Sequence, residues 1–280
     1  MLTGKLHNGN IVTTLEYNSD LHGTRVYCID KSCNAPLIYV AESDNRTAHF
    51  KTSGKGESKH SSQCGFYQPL DLIESISKVK QYQDDGVHSN KEIIIRLSMN
   101  RIDPDREVSS VEREKGKKEN QEPKVKNESL TPNSITSVKG VVKLLTEYEP
   151  DVLSSILINV GGGRKVNLSE LVVDQETAHH LLWKDEGLNN VGYFVYGKVS
   201  KFTKLAKVMY INFEEVEVPF TVVIFQKYWN EFDYTEKQLV GRNVLVYGHL
   251  RKNDYQNKQT TEMIIKSSKY IEIFKTKGTV

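Results

Sequence analysis

The stretch that most constrains the fold is a charged one, residues 103–128. It holds fifteen charged residues, three valines as its only aliphatic residues and no aromatic residue. Such a segment cannot bury enough apolar surface to offset the entropy lost on ordering it, and its prolines disfavour one continuous helix. We therefore predict a charged flexible linker over 103–136. A solvated helix held by Glu–Lys pairs around 112–119 is the alternative.

The linker divides a chain of 280 residues, which exceeds the usual size of one hydrophobic core. We predict an α+β protein that is mostly β. Its predicted units are a small β-rich domain with one helix over 1–102, the linker, a helical connecting segment over 137–190, a five-stranded barrel over 191–274 and a tail over 275–280.

Composition excludes several classes of protein. Hydrophobic residues make up 38% of the chain and charged residues 26%, as in globular proteins. No apolar run approaches the ~18 residues of a membrane-spanning helix, and the N-terminal residues lack the apolar stretch of a secretory signal. We predict a cytoplasmic protein without a membrane partner. In a reducing compartment, clustered cysteines more often bind metal than form disulfides.

All three cysteines of the chain lie close together in the sequence, with histidines beside them. Cys28 and Cys33 would form one pair of metal ligands, and His60 and Cys64 have the spacing by which one turn presents two ligands to an ion. His49 is an alternate ligand, although its neighbours place it in a strand. We predict a structural zinc site. The alternative is that the cysteines are small buried hydrophobic residues.

The residues around these ligands carry a resemblance to a known family. The runs YCIDKSCNAPLI at 27–38, AHF at 48–50 and KHSSQC at 59–64 resemble the N-terminal zinc-finger element of competence-protein (CoiA-like) nuclease relatives. That family joins such an element to a DNA-acting domain, so the resemblance implies a role on DNA. The four-residue gap between Cys28 and Cys33 departs from the commoner gap of two.

A catalytic role finds little support in the sequence. The acidic residues Asp84, Asp85 and Glu92 precede a predicted strand over 92–99, but the lysine that a nuclease of this kind would need two residues after the glutamate is absent. His179 and His180 are adjacent on a predicted helix and point in different directions, so they cannot act on one group.

Apolar periodicity predicts the remaining elements outside the barrel. Short strands are predicted at 10–17, 23–28, 37–41 and 47–51, and an amphipathic helix follows Pro69. The run Gly161–Gly163 is predicted to form a hairpin turn, because it lacks the spacing of a phosphate-binding loop.

The last block, 191–274, is basic and aromatic. It has twelve Lys and Arg against nine Asp and Glu, and sixteen of the 25 aromatic residues. Strands are predicted at 193–202, 207–213, 218–225, 243–250 and 262–273, with a short helix at 234–240. The runs GYFVYGKV at 192–199 and 241–265 resemble the OB-fold nucleic-acid-binding family, which implies a small barrel that binds single strands on one face.

Strand alternation predicts which residues of the barrel meet a nucleic acid. If Val195, Gly197 and Val199 fill the interior, their neighbours lie outside, where aromatic rings stack on bases and cations contact phosphates. The predicted contact residues are Tyr196, Lys198, Lys201, Phe202, Lys204, Tyr210, Tyr247, His249, Arg251, Lys252, Tyr255 and Lys258. Of these, Lys252, Tyr255 and Lys258 are predicted to occupy a loop. The alternative is that the tyrosines are half-buried sheet residues and the lysines solubilise the rim.

These patterns favour a non-enzymatic protein that binds single-stranded DNA or RNA and carries structural zinc. One alternative is a metal-dependent nuclease or nuclease accessory subunit. Another is an adaptor whose barrel docks a protein partner. Added salt distinguishes these classes, because phosphate contacts weaken steeply with ionic strength.

Overall fold

The computed structural model describes residues 1–86, 93–99, 103–105, 134–214, 218–255 and 258–277. It is a mixed α/β structure in which strands predominate. The greater part of the predicted linker, 106–133, lies outside the described residues. Within the described residues, no helix is long and apolar enough to cross a membrane.

The N-terminal unit is a five-stranded sheet in the order β2-β1-β3-β4-β5. Its elements are β1 (Thr3–Leu6), β2 (Ile11–Thr13), α1 (Ser19–His22), β3 (Val26–Tyr27), β4 (Pro36–Val40) and β5 (His49–Lys51). The strands predicted in this region are confirmed, and β1 is an addition. The sheet buries Val26, Leu37 and Phe50 in one cluster with the three cysteines.

The helix predicted after Pro69 is confirmed as α2 (Leu72–Asp84). Asp71 and Glu74 form a capping box, in which each side chain accepts a hydrogen bond from the other residue's backbone N–H. The helix buries Ile76 in the larger core of the protein and Tyr82 in the cysteine-containing cluster. It therefore belongs to both cores.

Strands accompany the helices in the segment that was predicted to be helical. The elements between α2 and the C-terminal sheet are β6 (Ile93–Leu97), β7 (Ser134–Ile135), α3 (Val138–Glu147), α4 (Pro150–Leu153), β8 (Ile156–Gly161), β9 (Arg164–Asn167), α5 (Leu168–Leu171), β10 (Val172–Asp174) and α6 (Gln175–Trp183).

The order β7-β6-β8-β9 forms a four-stranded sheet, so the predicted helical segment over 137–190 contains strands as well as the helices α3 to α6. β8 is held in the sheet because it pairs in parallel with β6. This partner is distant in sequence, so local periodicity cannot identify it. The predicted hairpin turn is confirmed: β8 and β9 pair antiparallel around Gly161–Gly163, and all three glycines have positive φ.

A curled half-barrel sheet forms the C-terminal part. Its elements are β11 (Tyr193–Lys204), β12 (Val208–Phe213), β13 (Phe220–Phe225), a 3₁₀ helix (Gln226–Glu231), α7 (Glu236–Leu239), β14 (Asn243–Gly248), β15 (Leu250–Tyr255), β16 (Lys258–Ile264), a second 3₁₀ helix (Ser268–Tyr270) and β17 (Ile271–Phe274).

Two strands at the C-terminal end differ from the predicted pattern. The single strand predicted over 262–273 is divided into β16 and β17, and most of the predicted loop after the fourth strand is the antiparallel pair β15–β16. Lys252, Tyr255 and Lys258 therefore lie in strands and not in a loop. Polar residues dominate this pair, so it lacks the apolar alternation by which a strand is recognised.

One apolar cluster extends from Leu72 in α2 to Phe274 in β17. Within it, α3 packs against β14 and β17. Small residues allow the closest approaches: a Cβ added at Gly197 would overlap the ring of Phe213, which fixes Gly197 on the interior side of the curled sheet.

Two glycine substitutions test this packing against each other. Gly197→Ala should lower the free energy of unfolding by ~1–3 kcal/mol, since the added methyl overpacks the interior. Gly140→Ala, in α3 where an added Cβ meets ordinary contacts, should raise it by about 0.5–1 kcal/mol through backbone entropy. Urea denaturation measures both values. Equal and small effects would contradict the assigned close approach at Gly197.

Candidate metal centre and exposed sheet face

Three cysteines and one histidine converge at one point of the N-terminal unit. The ligand atoms of Cys28, Cys33, His60 and Cys64 all lie within 4.8 Å of one another. The Cys28 and Cys64 Sγ atoms are 3.6 Å apart, and His60 Nδ1 lies 3.5 Å from Cys33 Sγ and 3.4 Å from Cys64 Sγ. Ligand atoms around a tetrahedral zinc ion are separated by about 3.5–3.8 Å, given its usual bond lengths. The cluster could therefore hold a metal ion.

Tight loops position the ligands. The N–H of Cys28, just after β3, donates to Ala35 O, and the N–H of Cys33 donates to Asp30 O. Asn34, which follows Cys33, has φ of 112°, a left-handed conformation that turns the chain back toward β4.

The second ligand loop is joined to the first by hydrogen bonds. In it Cys64 N–H donates to Ser61 O, and the Ser61 hydroxyl donates to Ser32 O. These bonds join the two ligand loops to each other.

The buried carboxylate of Asp30 ties these loops to α2. It accepts hydrogen bonds from Ser32, from the N–H of Gly65 at 2.8 Å and from the Tyr82 hydroxyl at 2.8 Å. Lys78 completes the surroundings at 3.0 Å. Burial alone would raise the pKa of Asp30. The hydrogen bonds that it accepts, above all those from Gly65 and Ser32, outweigh burial and hold the pKa well below its usual range.

The members of the cluster differ in how readily each loses its proton. The Cys28–Cys64 hydrogen bond raises the pKa of Cys28 and lowers that of Cys64, so Cys64 is the readier thiolate. Burial lowers the pKa of His60, which favours the neutral imidazole that binds metals. Four protein ligands would fill a tetrahedral site and leave no position for substrate or water, so the geometry suits a structural role.

The structure distinguishes the two histidines that were predicted as possible ligands. His49 lies in β5, where its Nδ1 is 2.9 Å from Thr47 O, and it does not belong to the cluster. His60 is the histidine of the set. Spacing had already favoured His60, because it precedes Cys64 by four residues.

Among the described residues, the acidic candidates do not gather at a second metal centre. Asp85 caps α2 and pairs with Lys31, and Glu92 lies outside the described residues. In the part of the chain that the structure describes, the Cys–His set is the one group of such side chains close enough to share an ion.

Two tyrosines predicted to stack on bases lie on the expected side of the sheet, but Tyr247 is buried and Tyr196 is half-buried. Since Gly248 faces Met263 in the interior, Tyr247 points to the other side, where its ring packs 4.6 Å from Phe194 and 6.4 Å from Tyr270 between ring centroids. Only 9% of Tyr247 is exposed. Burial raises the pKa of Tyr247 and of the half-buried Tyr196 to about 12. The packing around Tyr247 leaves no face of its ring open to a base.

A β-bulge turns another predicted residue inward. The register of β11 against β12 shifts between Val199 and Lys201, after which Phe202 pairs with the fully buried Ile211. Phe202 packs against the main core. Tyr210 pairs with Thr203 on the opposite face and is half-buried. Phe202 and Tyr210 therefore do not share a face, contrary to the prediction, because one additional residue in β11 reverses the alternation.

Several predicted cations interact within the protein. Lys198 pairs with Glu214 at 2.6 Å and Lys252 with Asp185 at 2.7 Å. Lys204 Nζ lies 4.3 Å from the centroid of the Trp229 ring. The remaining predicted contacts are placed as follows: Lys201 is exposed opposite Asn212, Arg251 is exposed opposite Glu262, His249 is exposed between β14 and β15, Tyr255 lies in β15, and Lys258 is exposed in β16.

Sequence reasoning missed Phe225. This residue ends β13, is 41% exposed and pairs with Val208 of β12. Tyr210 pairs with Val223 in the same ladder, so Tyr210 and Phe225 are diagonal neighbours on one face, about 7–8 Å apart. The alternation Thr221, Val223, Phe225 along the predicted strand was a signal that could have identified it.

Comparison with known proteins identifies no family. No protein-family model matches the chain, and a search of curated proteins finds no relative.

The metal centre generates a matched pair of substitutions. His60→Ala should abolish stoichiometric metal binding, because three ligands remain, whereas His49→Ala should retain it. Metal content of the purified proteins, measured by plasma mass spectrometry, checks both. Metal loss in the His49 variant alone would contradict the assigned ligand set.

Proposed function

We propose that this protein binds single-stranded nucleic acid on an OB-fold barrel, and that a structural zinc ion stabilises its N-terminal unit. The strand order of the curled sheet supports the OB-fold. β11 pairs with β12 and β14, β12 pairs with β13, and β13 pairs in parallel with β16. β15 pairs with β16 and follows β14 after one residue, so β14 and β15 act as one bent fourth strand that returns the circuit to β11.

The observation that carries the nucleic-acid proposal is the pair of rings on the outer face of the second and third strands. Tyr210 and Phe225 are diagonal neighbours there, and this is the face on which OB-folds bind oligonucleotides. Successive bases stack on such rings, and every base has a face to offer, so little sequence preference is expected.

Cations border the rings on the same face. Cross-strand pairing aligns Lys201, Asn212, Thr221, Glu262 and Arg251 in one row across the sheet. Lys201 and Arg251 stand at its two ends, within reach of a backbone that crosses the rings. Glu262 is the acidic member, and Arg251 opposite it offsets its charge. The excess of cations is small, which predicts modest affinity with a clear salt dependence.

The ligand set supports zinc over other metals. Three thiolates and one imidazole are soft or borderline ligands, a set typical of tetrahedral structural zinc. Magnesium and calcium prefer oxygen ligands, so these ions are poorly matched to the cluster.

The rings are tested by alanine substitution. Tyr210→Ala and Phe225→Ala should each weaken binding of fluorescein-labelled oligo(dT) by ~1–3 kcal/mol, because a base loses its stacking partner. Tyr67→Ala, which removes a ring that is 54% exposed in the N-terminal part, is the matched control and should bind as wild type does. Fluorescence anisotropy at two salt concentrations provides the measurement.

The outcomes separate the alternatives. Affinity that falls with added salt and with either ring substitution supports the proposal. Equal affinity in wild type and both ring variants would remove this face as the binding surface. If oligonucleotides do not bind, the adaptor hypothesis, in which exposed Phe225 contacts a protein, takes precedence.

Chelation tests the zinc proposal. Removal of the metal should eliminate hydrogen-exchange protection in β3 and β4, since their core contains the three cysteines. Protection in β11 and β14, whose residues belong to the larger core, should persist. Unchanged protection of β3 and β4 in protein verified to be metal-free would contradict the proposed structural role of the ion.

A further inference from the structure

A cationic patch lies near the exposed ring of Phe225, and acidic residues of the same chain occupy it. Lys266 Nζ lies 2.8 and 2.7 Å from the two carboxylate oxygens of Asp103 and 3.1 Å from Asp105 Oδ2. Lys227 Nζ lies 3.2 Å from both carboxylate oxygens of Asp105. The Tyr228 hydroxyl also donates to Asp105. The patch therefore holds two carboxylates through two ammonium groups and one phenol.

Strand register places this patch beside Phe225. β13 and β16 pair in parallel with Val223 opposite Ile264, and Ile265 N–H donates to Val223 O, which extends the ladder. Phe225 lies two residues beyond Val223, and Lys266 lies two residues beyond Ile264, just past the end of β16. We infer from continued alternation that both face the same side. Lys266 thus extends the surface formed by Tyr210 and Phe225.

The donors suit a phosphate group. Phosphodiester oxygens, like carboxylate oxygens, accept charge-assisted hydrogen bonds from ammonium groups and hydrogen bonds from hydroxyls, and such contacts make up much of protein binding to nucleic acids. The hydrogen bond from Tyr228 and the contacts with Lys266 lower the pKa of Asp105 to about 2. Asp105 is accordingly an anion at neutral pH and resembles a phosphate in charge.

We propose that Lys227, Tyr228 and Lys266 form a phosphate-binding site at the Phe225 end of the nucleic-acid face, and that Asp103 and Asp105 occupy it as an intramolecular competitor. This inference rests on the proposed function. The carboxylates are partly exposed, so their contacts are individually weak. An incoming backbone phosphate displaces them when base stacking on Tyr210 and Phe225 adds to its affinity.

Removal of the competitor is the direct test. The D103N/D105N variant should bind oligo(dT) about three- to tenfold more tightly than wild type, which corresponds to the release of weak ion pairs. The matched control is D185N/E214Q, which removes the same formal charge from residues paired with Lys252 and Lys198. It should tighten binding much less. Fluorescence anisotropy at constant ionic strength measures all the proteins.

A second pair of variants makes the cycle complete. K227Q/K266Q should weaken binding, and D103N/D105N introduced into that background should have no further effect, because the site for which the carboxylates compete is gone. Equal tightening by D103N/D105N and D185N/E214Q would indicate a general charge effect and overturn the proposal. No tightening by D103N/D105N would overturn it as well.

Failure of the proposed function has a different signature. If no variant binds oligo(dT), the nucleic-acid proposal fails, and inorganic phosphate decides the anion site by itself. NMR titration of D103N/D105N with phosphate should then give saturable shifts at Tyr228, and these shifts should be absent when K227Q/K266Q is added to that variant. Absence of these shifts would overturn the site.

Discussion

The carboxylate of Asp30 is the constraint on which the N-terminal unit depends. It is fully buried, and a buried anion is tolerated only when hydrogen bonds and a counter-charge replace its hydration. Its partners come from both ligand loops and from α2, through Ser32, Gly65 and Lys78. Each partner must remain in place to satisfy the charge. The same contacts that stabilise Asp30 therefore hold Cys28, Cys33 and Cys64 near their metal-binding geometry.

The helix α2 transmits this constraint to the rest of the protein. Lys78 and Tyr82 reach Asp30, while Leu72, Ile76 and Val79 pack in the core that continues to the curled sheet. A second link is the buried Asp151 of α4, which accepts hydrogen bonds from the N–H groups of residues at the start of the N-terminal sheet. We therefore expect metal binding and the position of α2 to be energetically coupled.

Local patterns predicted the features that depend on neighbours in sequence. The ligands Cys28, Cys33, His60 and Cys64 follow from short spacings, and the α2 helix follows from its periodicity and its cap at Asp71. Features set by distant partners were not predictable in this way. The strand character of β8 depends on β6, and the polar β15–β16 pair depends on the bend after β14. The apolar run at 156–160 is strand-like but does not identify β6 as its partner, and the polar β15–β16 pair lacks apolar alternation.

The exposed face of the curled sheet shows how strongly function depends on such distant contacts. Strand alternation correctly predicts that Tyr247 points away from the interior of the curled sheet. However, α3 packs against β14 and helps to cover the outer side on which Tyr247 lies. The bulge near Val199 reverses Phe202 while Tyr210 keeps its outward position. In the proposed function a stacking ring must face outward and be accessible, and the register of β11 and the docking of α3 together leave the half-buried Tyr210 and the exposed Phe225 in that position. These two constraints, more than the number of aromatic residues, determine where a nucleic acid could bind.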